Sequence, residues 1–247
     1  MANVIGQRVN GNIVYVDRGS HLKRVVGGVG PDIIHYEFLP WIHNIQDEDA
    51  TGTDPEGFHV TVVEAGTGTS EVDQSNSIGV LAQIVTAANE NDGLNLQLVG
   101  PHFEFTSNQG LVYFGIEIDI NSISTSDIFV GLAAEDTTLL GGVADGVYLE
   151  SLDGAATSFG VTEKDSTETT TSSSIATLSD DTFHFLEFYF DGSSVYFYVD
   201  GTEGGTIHTT NIPDDVVLTP SIQFLAGSAV ASTCDIRQWR VIQVART

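Results

Sequence analysis

The run Phe183-His184-Phe185-Leu186-Glu187-Phe188-Tyr189-Phe190, Asp191-Gly192-Ser193-Ser194, Val195-Tyr196-Phe197-Tyr198-Val199, Asp200-Gly201 reads as two aromatic β-strands about a tight turn, with a second turn closing it. Aromatic and β-branched residues suit a pleated, half-buried surface, and Asp-Gly pairs tolerate the positive backbone angles of tight hairpins. Successive side chains of a strand point to opposite faces, so these aromatics fall on both sides. One face can line a core; the other requires a second cover, a ligand groove or a partner.

Outward from this hairpin the same signals recur. Strands are expected at 12–16, 33–39, 58–64, 79–85, 94–99, 102–106, 111–120, 127–133, 146–149, 159–162, 206–209, 218–225 and 233–244. Asn91-Asp92-Gly93, Asn108-Gln109-Gly110, Asp145-Gly146 and Asp153-Gly154 mark turns between them. No window carries a convincing helical apolar period, and no internal repeat is visible. The Ser/Thr tract at 165–174 suits an exposed loop or a polar edge strand. The chain is read as all-β, with residues 1–30 a basic terminal arm and 31–247 one β-sandwich domain.

With 41% hydrophobic residues, 26 Gly and 13 Phe in 247 residues, the composition is globular in spite of a formal charge of −26. That charge repels phosphate backbones and anionic lipid, which argues against nucleic-acid and membrane partners. No stretch approaches the ~20 apolar residues needed to span a bilayer. The N-terminus lacks the basic-then-apolar pattern of an export signal. The single cysteine, Cys234, excludes an intrachain disulfide and is expected to be a buried, inert thiol in a chain made in a reducing cytoplasm.

The charge is unevenly placed. Arg8, Arg18, Lys23 and Arg24 stand against Asp17 alone in the first 24 residues, a net +3 that leaves −29 on the remainder. No Lys or Arg occurs between Arg24 and Lys164. Such an arm can dock on an acidic partner, fold back on its own body or grip a neighbouring copy.

From about Phe38 to Val244 the sequence resembles a concanavalin A-like, or laminin G-like, jelly-roll sandwich of two antiparallel sheets. The resemblance rests on the hairpin above, on Ile212-Pro213-Asp214-Asp215, Leu218-Thr219-Pro220 and Ser221-Ile222-Gln223-Phe224, and on the closing strand Cys234-Asp235-Ile236-Arg237-Gln238-Trp239-Arg240-Val241. Asn91-Asp92-Gly93 with Leu94 to Leu98, Phe103-Glu104-Phe105, Val130-Gly131-Leu132-Ala133 and Asp145-Gly146-Val147 make it similar to virion proteins of marine tailed bacteriophages. The resemblance implies a capsid decoration protein or another surface appendage of the virion.

The residues themselves bear on three chemistries. Glu117-Ile118-Asp119-Ile120-Asn121 begins like the Glu-x-Asp-x-Glu strand of jelly-roll glucanases, with Glu117, Asp119 and Asn121 on one face, but an amide cannot serve as the proton donor. Asp47, Asp49 and Thr51, followed by Gly52, copy the start of a calcium loop, whose twelfth position is Phe58 in place of the required glutamate. The seven histidines show no zinc spacing, and no Gly-x-Ser-x-Gly elbow or phosphate loop occurs. The expectation is a chain without catalytic residues or cofactor. Trp41, Tyr189, Tyr196, Tyr198 and Trp239 are expected on a self-association or glycan-binding face. The arm residues Arg8, Arg18, Lys23 and Arg24 are expected to grip a major capsid protein on the virion head, the alternative being a glycan-binding appendage that attaches to a host surface.

Overall fold

The computed structural model describes residues 57–244, except 74–78, 101–102, 107–109 and 153–154, together with the backbone of the strands that lie within residues 4–53. Among the described residues, twenty strands and a single 3₁₀ turn make up the regular structure. In the arm, β1 (Val4–Val9), β2 (Asn12–Asp17) and β3 (Val25–Val29) form an antiparallel meander of their own. Among the described residues these three strands pair only with one another, and no strand pairing joins them to the sandwich.

The body supplies β4 (Ile33–Phe38), β5 (Gly52–Thr53), β6 (Phe58–Val63), β7 (Glu71–Asp73), β8 (Ala82–Val85), β9 (Gly93–Leu98) and β10 (Leu111–Ile120). After these come β11 (Ser126–Ala133), β12 (Gly146–Ser151), β13 (Thr157–Lys164), β14 (Glu168–Thr171) and β15 (Ala176–Thr177). The chain closes with β16 (His184–Phe190), β17 (Val195–Val199), β18 (Thr202–His208), β19 (Thr219–Ala226) and β20 (Thr233–Val244). An eight-stranded sheet runs β18-β17-β16-β10-β20-β8-β7, with β4 and β8 sharing the second edge of the long β20. A nine-stranded sheet runs β14-β13-β12-β11-β19-β9-β6-β5, with β15 also on β13. Every pairing is antiparallel, and the two sheets enclose one core: a jelly-roll sandwich.

Alternation builds that core. Phe114, Ile116 and Ile118 of β10 meet Leu94, Leu96, Val130, Leu132 and Phe224 of the facing sheet. The aromatic hairpin contributes Leu186, Phe188 and Phe190 from β16 and Val195, Phe197 and Val199 from β17. Its second turn is of the expected kind, since Asp200 and Gly201 both have positive φ, at 52° and 74°. Gly160 of β13 faces inward opposite Phe197, and a Cβ there would lie 2.4 Å from that ring. Only a residue without a side chain lets the sheets approach at this point.

Several sequence expectations shift in detail. Within the Ser/Thr tract, residues 168–171 form edge strand β14, where the Thr170 hydroxyl bonds to Thr210 and Asn211. Around Phe103 the expected strand reduces to one bridge with Leu218. Cys234 is fully buried, and burial first, then Asp235 and Asp119, push its thiol well above the usual range. No helix among the described residues is long and apolar enough to cross a membrane.

Candidate functional site

The outer face of the eight-stranded sheet carries the second set of hairpin aromatics. Tyr189 and Tyr196 are cross-strand partners with ring centroids 6.5 Å apart, and both are half-buried. Tyr198 is 3% exposed, and its hydroxyl donates to Glu203 at 3.2 Å. Tyr113 lies over Gly115 and donates to the fully buried Glu187 at 2.7 Å. Of the five aromatics expected on a contact face, Tyr189 and Tyr196 therefore have accessible rings, while Trp41 falls outside the described residues.

Trp239 is corrected outright: it is 0% exposed in the core, stacked on Phe58 at 5.2 Å and edge-on to Phe114 at 6.5 Å. The cause is a β-bulge. Glu117 pairs with Gln238 and the next residue, Ile118, with Ile236, so one extra residue of β20 is accommodated there. Ile236 and Trp239, three apart, then both face inward, which strict alternation forbids.

Glu117 and Asp119 do share the outer face, as the spacing implied. Glu117 is bonded by Gln238 at 3.2 Å and lies 3.6 Å from Arg237, whose guanidinium also sits 3.5 Å over the Phe183 ring. Asp119 pairs in register with Asp235; burial first, then that neighbouring charge, raises its carboxyl. Asn121 accepts the Thr233 N–H at 2.9 Å, a strand-end closure.

The nine-stranded sheet holds a site that the sequence reading missed. Its outer face is crossed by residues 134–145, and amide side chains fasten this loop. Asn95 donates to the Thr137 carbonyl at 2.7 Å, Gln97 accepts the Asp136 N–H at 2.9 Å, and Gln223 accepts the Leu140 N–H at 2.6 Å. Leu139 and Val143 pack on Phe129, Ala133 and Tyr148 beneath it. On one flank of the loop opens a cavity of about 330 Å³, lined by His59, Thr61, Gln97, Val99, Glu135 and Asp136. On the other flank Tyr148 stacks on Phe129 at 4.2 Å and donates to Glu163 at 2.9 Å. Beside it, burial first and the charge of Glu163 second push the Glu150 carboxyl up to about 7. Asn95 and Gln97 alternate visibly with Leu94, Leu96 and Leu98 in the sequence, but that pattern reads as a solvent face; nothing local shows the loop that buries it.

A third group lies at the end of the sandwich, where oxygens of Asp145, Asp165 and Asp215 come within 4.8 Å of one another. Asp145 accepts the Asp165 N–H at 3.0 Å, and the Lys164 ammonium lies 3.6 Å from Asp215 and also bonds Asp214, so the cluster is partly neutralised from within. The calcium candidates Asp47, Asp49 and Thr51 lie outside the described residues, as do Arg18, Lys23 and Arg24. Arg8 occupies β1 opposite Ile13, and its side chain is outside the description.

One buried and one half-buried group give the fold a pH profile. His208 is 1% exposed; its Nδ1 meets the Thr162 hydroxyl at 3.0 Å, its ring meets Phe197 edge-on, and its Nε2 has no partner. Burial lowers it to about 4, so the unfolded state binds a proton first and stability falls as pH drops from about 6.5 to 4. Glu150 has the opposite sign: the folded state keeps a proton that the unfolded state loses, so stability falls as pH rises from about 4.5 to 7. Urea midpoints should show His208→Gln flattening the acid limb and Glu150→Gln flattening the limb above pH 5. Each effect should be about 1–3 kcal/mol, the Glu150 value reduced by its partial exposure.

No protein-family model matches this sequence, nor does any curated protein. Among solved structures it is similar to a protein of unknown function from Shewanella oneidensis MR-1, with 15% identity, TM-score 0.56, and coverage of 88% of this chain and 89% of that one. It is also similar to a β-1,3-glucanase from Mycobacterium marinum, at 14% identity, TM-score 0.54, and 86% and 99% coverage. The carbohydrate recognition domain of Emp46p aligns at 11% identity, TM-score 0.53, and 75% and 88% coverage. The chain therefore has the concanavalin A-like jelly-roll fold. The expectation of a non-enzymatic chain is corrected by the same comparison: glycoside hydrolases and carbohydrate recognition domains both use this sandwich, so enzyme status is open and the fold gives no ground for excluding hydrolysis.

Proposed function

We propose that the chain is a structural virion protein, a capsid decoration protein of a tailed bacteriophage that docks through its basic arm on an acidic head surface. The observation that carries this reading is the division of charge, +3 on the first 24 residues against −29 on the rest. The separate strand meander of the arm supports it, because a segment with its own hydrogen-bonded sheet can engage a partner without opening the sandwich. The loop laid across the nine-stranded face agrees with it too, since that surface is filled by the chain's own residues.

In co-sedimentation with empty capsids of its phage, the purified chain should bind at saturating, lattice-like stoichiometry and weaken as salt rises. The Arg18→Glu/Arg24→Glu double variant should reduce occupancy at least about tenfold, a loss of roughly 1.4 kcal/mol. Unchanged occupancy of that variant would remove the arm from the mechanism. Release of reducing ends from a β-glucan by the purified chain would replace the structural reading with a hydrolytic one. A second reading, a glycan-binding appendage that contacts a host surface, is favoured by the cavity beside the 134–145 loop.

A further inference from the structure

We infer that the cavity beside Lys164, at one end of the sandwich, binds a zwitterion: an α-amino acid with an apolar side chain. This assignment rests neither on the capsid reading nor on the cavity beside the 134–145 loop. The space, about 340 Å³, lies where β13, β16 and the chain after β18 reach the same end of the two sheets. Gly160 and Thr162 of β13 face inward, toward Phe197 and the buried His208, and alternation puts Lys164 next in that row. Phe105 and Phe190, with ring centroids 5.2 Å apart, plug the core at this end and form the apolar floor together with Ile212. The rim is fastened to β13 and β14: the Thr162 hydroxyl donates to the Thr210 carbonyl at 3.2 Å, and the Asn211 amide donates to Thr170 at 3.0 Å.

The polar side of the lining carries one charge of each sign. Lys164 is the only Lys or Arg between Arg24 and Arg237, and its ammonium is bonded to Asp214. Asp215, 3.6 Å from that ammonium, is not part of the lining. The bond to Asp214 raises the lysine and lowers the aspartate, so both stay charged. A ligand with a single charge satisfies one member of this pair and displaces the other, leaving a charge without its partner. A molecule with an ammonium and a carboxylate on one carbon meets both: its carboxylate accepts from Lys164 while its ammonium donates to Asp214. Among the described residues the Thr209 hydroxyl and the Asn211 Oδ1 take no hydrogen bond, and both residues line the cavity. They supply a further donor for the carboxylate and a further acceptor for the ammonium. The apolar floor then faces the ligand's side chain, and the volume, at the small end of ligand pockets, holds one amino acid rather than a peptide.

The test is an amide-resolved NMR titration of the full-length chain with L-leucine, L-methionine and L-phenylalanine. At least one of them should shift the amides of Lys164, Ser193 and Asn211 saturably. The amide and the N-acetyl derivative of the tightest binder, which lack the carboxylate and the ammonium respectively, should each bind at least about tenfold more weakly. Asp214→Asn should weaken binding by a similar factor, and Thr209→Trp should fill the cavity and block it; both positions are exposed, so neither substitution disturbs the core. Val230→Trp, at an exposed valine outside the lining, should leave binding unchanged. The inference is overturned if none of the amino acids shifts these amides, if either derivative binds as tightly as its parent, or if Asp214→Asn leaves the affinity as it was. Capsid co-sedimentation is unaffected by any of these results, so the two readings fail separately.

Discussion

Trp239→Ala should destabilise the protein by about 3–5 kcal/mol, the range for truncating a fully buried large aromatic side chain. The indole sits at the centre of the sandwich, between Phe58 of the nine-stranded sheet and Phe114 of the eight-stranded sheet, so its removal opens a cavity that neither sheet can close alone. Tyr196→Ala, on the outer face, should cost no more than about 1 kcal/mol, since its hydroxyl makes one long bond to Asp191 at 3.3 Å and its ring is half exposed. Urea unfolding of the two variants, read by tryptophan fluorescence and circular dichroism, separates them. Equal costs would mean that the bulge in β20 is misplaced and that Trp239 lies on the surface after all. The comparison also decides which aromatic is a fair probe of self-association: loss of assembly in Trp239→Ala would report unfolding, whereas loss in Tyr196→Ala or Tyr189→Ala would report an interface.

Asp92→Ala carries the other large expectation, about 3–5 kcal/mol, from a group that looks in sequence like an ordinary turn residue. Its carboxylate is 0% exposed and accepts four hydrogen bonds: from Ala65 N–H at 2.6 Å, Gly66 N–H at 3.1 Å, Asn89 N–H at 3.1 Å and the Asn89 amide at 2.7 Å. Burial alone would raise this carboxyl, but the side-chain bond from Asn89 and the three backbone donors outweigh it and hold it below the usual range. The acceptor thus fastens the segment that leaves β6 for β7, where the chain crosses from one sheet to the other. Alanine strands buried N–H groups; asparagine keeps one oxygen and should lose about half as much. Because the carboxyl ionises early, the difference between wild type and Asp92→Ala should persist down to pH 5. A difference that vanished by pH 5 would show a carboxyl pushed up by its burial and refute the four-donor account.

The two outer faces show where local reading gives out. On β16 and β17 the alternation of Phe and Tyr declared two faces, and both exist. Whether an outward tyrosine is open depended on partners far away in sequence: Glu203 and the neighbouring strands cover Tyr198, while Tyr189 and Tyr196 stay half exposed. The pair Glu117 and Asp119 was placed on one face correctly, yet their chemistry is set by Arg237, Gln238 and Asp235 on β20, more than a hundred residues on. Glu150, the carboxyl whose burial and neighbour move it most visibly toward neutrality, gave no signal, because its strand is short and its partner Glu163 belongs to the next strand.

The sequence by itself determined the all-β class, the order of most body strands, the hairpin turns at Asp191-Gly192 and Asp200-Gly201, and the split of charge between arm and body. Each of these follows from short-range rules, namely side-chain alternation, the backbone freedom of Asp-Gly and the sum of formal charges, which act within a few residues. Only the tertiary structure decided that Trp239 is core, that Asp92 is a four-donor fastening, and that residues 134–145 roof the nine-stranded face beside a polar cavity. The reason is common to all three. A bulge changes facing by inserting one residue against a distant strand, and a buried carboxylate or amide acquires its meaning from donors that only chain closure brings within 3 Å.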